Sequence, residues 1–317
     1  MSKKRLISVI IINHNGREFL ERCFSSVLKT NYDNFEVIFV DNASTDESLE
    51  YLKKNFLDKH ISFFKNNINF GVPGGRNIGF KQAKGDFIVF LDNDTEVDSE
   101  WLNGLIYAFE TDNKIAVAQS KLLSMVERDK FDHAGDYLTP FGLLVERSSH
   151  QKDTGQFDKI DDIFNAKGAA TMIRSSVFKE LGMYDETYFM YLEETDFCLR
   201  AWLAGYRVVF APKSVVWHAF NTPLKEMKKY YSNYIVRYYG CRNYITTHLK
   251  NLNFVNLMKI LPLHILGWFI LSLTFLIKGK FFDFVWINKG IFWNLLNLPC
   301  IFKKRNFVQR KIRKVKD

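Results

Sequence analysis

Cysteine is scarce in this chain and scattered. Cys23, Cys198, Cys241 and Cys300 are the only four in 317 residues, and no two form a C-x-x-C pair. That excludes a disulfide framework and a cysteine-based zinc site, and it suits reduced thiols in a cytosolic compartment. No internal repeat or low-complexity tract is present. The G-K-[ST] of a P-loop is missing, and so is a G-x-G-x-x-G dinucleotide fingerprint. Acid is nearly missing from the last third: Phe220–Asp317 carries 18 Lys/Arg against 3 Asp/Glu, whereas Met1–Ala219 carries 26 against 32. A mildly acidic body is thus joined to a basic, aromatic-rich tail, and basic tails bind nucleic acid or anionic membrane surfaces. The longest uncharged apolar run, Ile260–Ile277, is interrupted by Pro262, His264, Gly267 and Ser272 and lies at the short end of membrane-spanning length. Ser2–Arg5 before Leu6–Ile12 has the charge pattern of a signal peptide. Its apolar run stops after seven residues at Asn13-His14-Asn15 with no small-residue cleavage site, so it reads as a strand.

What is present is apolar material in quantity, 47% hydrophobic and 16% aromatic, which excludes a disordered chain. Strand and helix signals alternate through the first half. Leu6–Ile12 reads as a strand, Glu18–Lys29 as an amphipathic helix and Phe35–Val40 as a second strand. A helix over Asp46–Asn55 would be capped by Ser44 or Thr45. Ile61–Lys65 reads as a third strand, followed by a glycine-rich segment, Asn66–Gly85, and by the uninterrupted apolar run Phe87–Leu91. Four βα units in about ninety residues predict a mostly parallel, nucleotide-binding α/β sheet. Further on, Ile115–Leu123 reads as a strand and Phe131–His150 as a hairpin or loop insert. Glu193–Ala204 reads as a helix, and Arg207–Phe210 and Val215–His218 as two short strands.

The chemistry concentrates where strands end. Asp92-Asn93-Asp94 closes the Phe87–Leu91 run, and open α/β sheets bind ligands outside the carboxyl ends of their strands. Two carboxylates at i and i+2 there suit a hard divalent cation such as Mg²⁺ or Mn²⁺, which bridges protein oxygens to phosphates. A plain turn would use the same residues. Asp41 follows the second strand at the same edge, free to accept from a base or ribose or to cap a helix. The glycines between Asn69 and Gly79 would let backbone amides approach a diphosphate, with Arg76 supplying charge. Glu193, Glu194 and Asp196 crowd the start of a helix. The dipole alone favours acids there, but the preceding aromatics could raise a carboxyl toward use as a general base. His218 ends a short strand.

These pieces occur in an order that resembles family 2 glycosyltransferases. The pieces are Ser8–Asn15, Val40–Asp46, Asn69–Gly79, Leu91–Asp94, Lys167–Arg174, Gly182–Glu186, Glu193-Glu194-x-Asp196 with Arg200, Gly205–Val208 and Trp217-His218. Within that family the chain is most similar to the rhamnosyltransferase-like branch of bacterial cell-surface polysaccharide synthesis, over about residues 5–220. The resemblance implies a GT-A fold, a nucleoside-diphosphate sugar donor of the UDP or dTDP type, Mg²⁺ or Mn²⁺, and inversion at the anomeric carbon. It places Asn13, Asn15, Asp41, Asn42, Arg76, Asn77, Asp92 and Asn93 around the donor, with Asp41 on the base and Arg76 and Asn77 near the diphosphate. Asp94, Asp92 and His218 would hold the metal. Glu194 would be the catalytic base, with Glu193 its rival and Asp196 in the same acidic group, and Arg200 would hold the acidic helix. The family more often has Asp where this chain has Glu194, and Tyr where it has His14.

Residues 1–220 are therefore expected to form the transferase domain, and residues 221–317 a helical, membrane-associating region. Clustered Lys/Arg beside apolar segments favours shallow attachment to anionic lipid on the cytoplasmic face over two full crossings. That location suits a lipid-linked glycan acceptor. Oligomeric state stays open, a homo-oligomer included. Two other classes share parts of the pattern. A sugar nucleotidyltransferase also uses an acidic pair on an α/β sheet, and a nucleic-acid-binding protein would use a basic Tyr-rich tail. The acidic body speaks against nucleic acid.

Overall fold

The computed structural model describes residues 4–148, 150–219 and 233–315. β1 (Ile7–Asn13) shows how its first half is built. Ile7, Val9 and Ile11 join one apolar cluster and Ile10 joins the other, so both faces of the strand are covered. That is why its sequence is continuously apolar. β2 (Phe35–Asp41) and β4 (Phe87–Asp92) follow the same logic, while β3 (Ile61–Lys65) is the edge strand and is only partly covered. Helices α1 (Arg17–Val27), α2 (Ser48–Asn55) and α3 (Gly71–Gln82) connect them.

The sheet runs β3-β2-β1-β4 in parallel. It then accepts β11 (Ala170–Arg174) antiparallel to both β4 and β6 (Ile115–Ser124), and ends with β12 (Arg207–His218) and the two-residue β10 (Asp161–Asp162). β5 (Thr95–Val97) pairs with the end of β12, and β7 (Phe131–His133) with β6. α4 (Trp101–Thr111), α5 (Ser175–Glu180) and α6 (Glu193–Leu203) cover its faces. The first four strands are parallel as expected, and the sheet becomes mixed beyond them because β11 enters between β4 and β6 from the opposite direction. The two short strands expected at 207–218 are one strand, with a register shift between Ala211 and Val215 where Pro212 interrupts the ladder. The 131–150 insert contains a hairpin, β8 (Asp136–Leu138) with β9 (Leu144–Glu146).

Two local expectations are corrected. α2 begins at Ser48, where the Asp46 carboxylate accepts from the Ser48 amide, and neither Ser44 nor Thr45 caps it. The glycine-rich segment is mostly helix, since α3 runs through Pro73, Gly74 and Gly75. Its glycines allow close packing. A Cβ on Gly79 would stand 2.4 Å from the Ile10 side chain, and Gly71, at φ +71°, lies against the Phe189 carbonyl.

Among the described residues four further helices follow: α7 (Asn233–Asn251), α8 (Phe254–Ile277), α9 (Phe281–Leu296) and α10 (Leu298–Phe307), with a π-helical turn over Val308–Ile312. Cys241, Ile245, Leu249, Leu257, Ile287 and Ile301 form a core of their own. Val308 and Ile312 instead join the core beneath the sheet. The expected boundary at residue 220 and the basic Lys225–Tyr231 stretch lie outside the described residues.

Candidate active site

Strand register brings the first group together. Asn13 lies opposite Asp41, and Ile12 opposite Asp92, so the ends of β1, β2 and β4 form one edge. Asp41 is buried. One of its oxygens accepts weakly from the Ser44 amide at 3.4 Å, and the other has no partner among the described residues. A buried carboxylate oxygen without a donor is uncommon and invites one from a ligand. Asn13 donates to Ser44 Oγ and accepts from Asn93, while Asn15, at φ +55°, accepts from the Thr45 amide at 2.7 Å. Asn42 faces inward, bonded to Asn66, Asn69, Phe70 and Gly71, and so braces the turn into α3.

Antiparallel pairing of β5 with β12 sets His218 opposite Thr95, and the Ala219 amide donates to the Asp94 carbonyl at 3.0 Å. His218 Nε2 consequently lies 3.3 Å from Asp94 Oδ1, and its Nδ1 lies 2.9 Å from Asp132 Oδ2. Ligand-capable atoms of Asp92, Asp94 and His218 all fall within 4.8 Å of one another. Two carboxylates and an imidazole suit Mn²⁺ or Mg²⁺, and a further carboxylate on the other ring nitrogen is the usual way a ligating histidine is oriented. The donor set fits such a cation. Burial alone would lower the His218 pKa, but Asp94 and Asp132 hold it up at about 10. Cation binding there would release the Nε2 proton. Asp132 escaped the sequence reading because 86 residues separate it from His218.

Arg76 is nearly fully buried. It donates to Asp92 Oδ1 at 2.8 Å and to the Gly168 carbonyl at 2.8 Å, and its Nη1 lies 3.5 Å from Glu193 Oε1. It thereby joins the metal-facing edge to the start of α6, and its guanidinium is committed to protein partners. Asn77, expected beside it at the diphosphate, bonds Tyr184 and Glu186 through both ends of its amide. These bonds tie α3 to the segment before α6.

The acids of α6 part company. Burial and the neighbouring Glu194 charge push the Glu193 carboxyl well above the ordinary range, against Arg76. Glu194 is half-exposed, and its Oε1 accepts from the Gly168 amide at 3.3 Å. Asp196, expected in the catalytic group, is wholly buried among Arg200, Lys250 and Asn251. Burial would raise its pKa, and those cations lower it. It anchors α6 to α7, because two residues along a helix from Glu194 place it on the opposite side. Arg200 does hold this helix, donating to Asp196 and to the Leu181 and Met183 carbonyls.

The mixed α/β sheet has the GT-A fold, as its likeness to solved glycosyltransferase structures shows. The profile of glycosyl transferase family 2 matches residues 8–182, and the chain belongs to that family. It is 24% identical over 238 residues to the rhamnosyltransferase WbbL of Escherichia coli K12, covering 72% of this chain and 87% of that one. It is 29% identical over 125 residues to an uncharacterized glycosyltransferase of Haemophilus influenzae, spanning 39% of each. Several of these relatives are matched over less than half their length. Among solved structures, S. aureus TarS 1–349 in complex with UDP-GlcNAc aligns over 96% of this chain and 87% of that one, with a TM-score of 0.64 at 17% identity. The mannosyltransferase PcManGT of Pyrobaculum calidifontis in complex with GDP-Man and Mn²⁺ aligns over 97% and 86%, with a TM-score of 0.56 at 12% identity.

Proposed function

We propose that this protein is an inverting, metal-dependent glycosyltransferase. It would move a sugar from a UDP- or dTDP-sugar to a hydroxyl of a lipid-linked or polysaccharide acceptor, with rhamnose the first sugar to test. One observation carries the reading: Asp92, Asp94 and His218 meet at the sheet edge, while Arg76 ties that edge to the helix bearing Glu194. Relatives named as a rhamnosyltransferase, a poly(ribitol-phosphate) glucosyltransferase and a glucosyltransferase acting on a diphosphoundecaprenol-linked GlcNAc support it.

Asp92, Asp94 and His218 would hold Mn²⁺ or Mg²⁺, which when bound supplies positive charge to the departing diphosphate. Asp41 offers its unpartnered oxygen to the nucleoside. Glu194, the half-exposed carboxylate, takes the proton of the attacking hydroxyl as that oxygen bonds to the anomeric carbon and the carbon–phosphate oxygen bond breaks. Glu193, buried and pushed toward its neutral form, serves as scaffold beside it. Thermal shift with a panel of nucleotide-sugars tests the reading, since a true donor stabilises the fold it binds. A UDP- or dTDP-sugar should raise Tm only when Mn²⁺ or Mg²⁺ is present. Indifference to every donor with either ion would overturn the proposal, and release of pyrophosphate from a nucleoside triphosphate would point to nucleotidyl transfer.

The acceptor class is supported by the outer helices. α8 is long and apolar enough to cross a membrane, and little of its apolar stretch is buried. Phe254, Phe269, Ile270, Ile277, Phe282 and Phe292 are exposed on α8 and α9. Flanked by Lys278, Lys280 and the Lys303–Arg305 cluster, this surface suits the headgroup region of an anionic cytoplasmic leaflet. The protein should sediment with anionic liposomes at low salt. A protein left in the supernatant would refute the attachment.

A further inference from the structure

The turn that leads into the Glu193–Glu194 pair is unusual backbone. Phe189, Tyr191 and Leu192, none of them glycine, all have φ between +61° and +66°. Residues held there cost free energy unless their surroundings over-determine them. Within the turn itself the Met190 amide donates to the Tyr188 carbonyl at 2.7 Å. Each carbonyl from Thr187 to Tyr191 also has a donor from elsewhere. Arg242 Nη2 donates to the Thr187 carbonyl at 2.5 Å and to that of Tyr188 at 2.8 Å. Asn243 Nδ2 reaches the Met190 and Tyr191 carbonyls at 2.8 Å each, and that of Tyr188 at 3.2 Å. The Val72 amide takes the Phe189 carbonyl at 2.7 Å. Two adjacent side chains of α7, about fifty residues further along the chain, thus hold four of five consecutive carbonyls.

The clamp is itself fixed. Arg242 Nε donates to Asn243 Oδ1 at 2.8 Å, and the guanidinium lies over the Tyr239 and Trp293 rings at 4.6 and 4.5 Å. The Asn294 amide of α9 donates to the Arg242 carbonyl at 3.0 Å. α9 can come this near because Gly290 faces α7: a Cβ there would sit 3.0 Å from the Tyr238 carbonyl oxygen. Both clamp side chains are at most 5% exposed. They do not touch the carboxylates.

We propose that Arg242 and Asn243 are positioning residues, holding the 187–192 turn so that α6 starts with Glu194 toward the cleft. The inference rests on Glu194 as base and extends the active-site machinery into the C-terminal helices. Asn243→Asp keeps shape but loses the amide donor, and Arg242→Met keeps the stem but loses the guanidinium. Arg242→Lys retains a donor and is the rescue.

The experiment has two arms on the full chain. The first is kcat and KM with whichever nucleotide-sugar the thermal-shift panel selects, beside the dissociation constant of UDP with Mn²⁺. The second is amide hydrogen exchange. Expected are a kcat lower by about ten- to a hundredfold, with KM for the donor and UDP binding unchanged. Exchange should be faster over residues 187–195 and unaltered in β1 and β4, with partial recovery in Arg242→Lys. Unchanged kcat and unchanged exchange in Asn243→Asp would overturn the proposal. So would a uniform rise in exchange with collapse of Tm, which would mean a purely structural role. If the wild type transfers no sugar at all, the base assignment fails, and faster exchange confined to 187–195 would still show the clamp.

Discussion

The two walls of the candidate site are built by different means. On the sheet side, Asn13, Asp41 and Asp92 lie together because β1, β2 and β4 end in register, and local hydrogen bonding does the rest. On the helix side, Glu193 and Glu194 follow a turn with three positive-φ residues, in which Arg242 and Asn243 hold the carbonyls of Thr187, Tyr188, Met190 and Tyr191. A wall made by strand register tolerates change in the side chains around it, because ladder bonds do not depend on them. A wall made by side-chain donors is only as exact as those donors.

The largest effect should come from the helix wall. Glu194→Gln should cut kcat by roughly 10²–10⁴-fold, the usual contribution of a general base, while leaving donor binding intact. Near-normal turnover would shift attention to Glu193. Arg76→Met should act on both walls at once by stranding Asp92 and Glu193. Loss of one partner from a buried ion pair costs about 3–5 kcal/mol, to be read by denaturant titration. A loss of donor affinity at unchanged stability would instead make Arg76 a diphosphate contact.

Asp132→Asn tests the sheet wall more gently. Removing a carboxylate that orients a ligating histidine weakens metal affinity by about ten- to a hundredfold, measurable as the Mn²⁺ concentration that half-restores nucleotide-dependent stabilisation. Unchanged Mn²⁺ dependence would free His218 of that partner. The smallest effect concerns the brace behind the helix wall. Burial alone would raise the Asp185 carboxyl, but Lys250 and Lys304 hold it far below the ordinary carboxylate range. A folded-state pKa below the unfolded value adds stability that is present above about pH 4 and fades as pH falls further. Asp185→Asn should flatten stability against pH below 4, and a wild-type slope in the variant would show that the pair contributes little.

Much of the sheet wall was legible in the order of residues. Phe87–Leu91 followed by Asp92-Asn93-Asp94 announces a doubly covered strand meeting a polar edge. The acidic edge, the histidine and the acidic helix start could all be named before their distances were known. The glycines of α3 were open to misreading. Glycine permits both a phosphate-cradling loop and tight helix packing, and only the nearness of Ile10 to Gly79 shows which applies.

By itself the sequence determined the strands, because an apolar run with polar ends has few ways to be buried, and it determined which carboxylates stand at their ends. Tertiary structure decided the partners: Asp132 beside His218, Arg76 buried between Asp92 and Glu193, Asp196 turned to Lys250, and Arg242 with Asn243 on the turn before Glu193. The reason is physical. Hydrophobic periodicity is written within a few neighbouring residues, whereas these ion pairs and hydrogen bonds join positions 16 to 117 residues apart and leave no trace in either stretch alone.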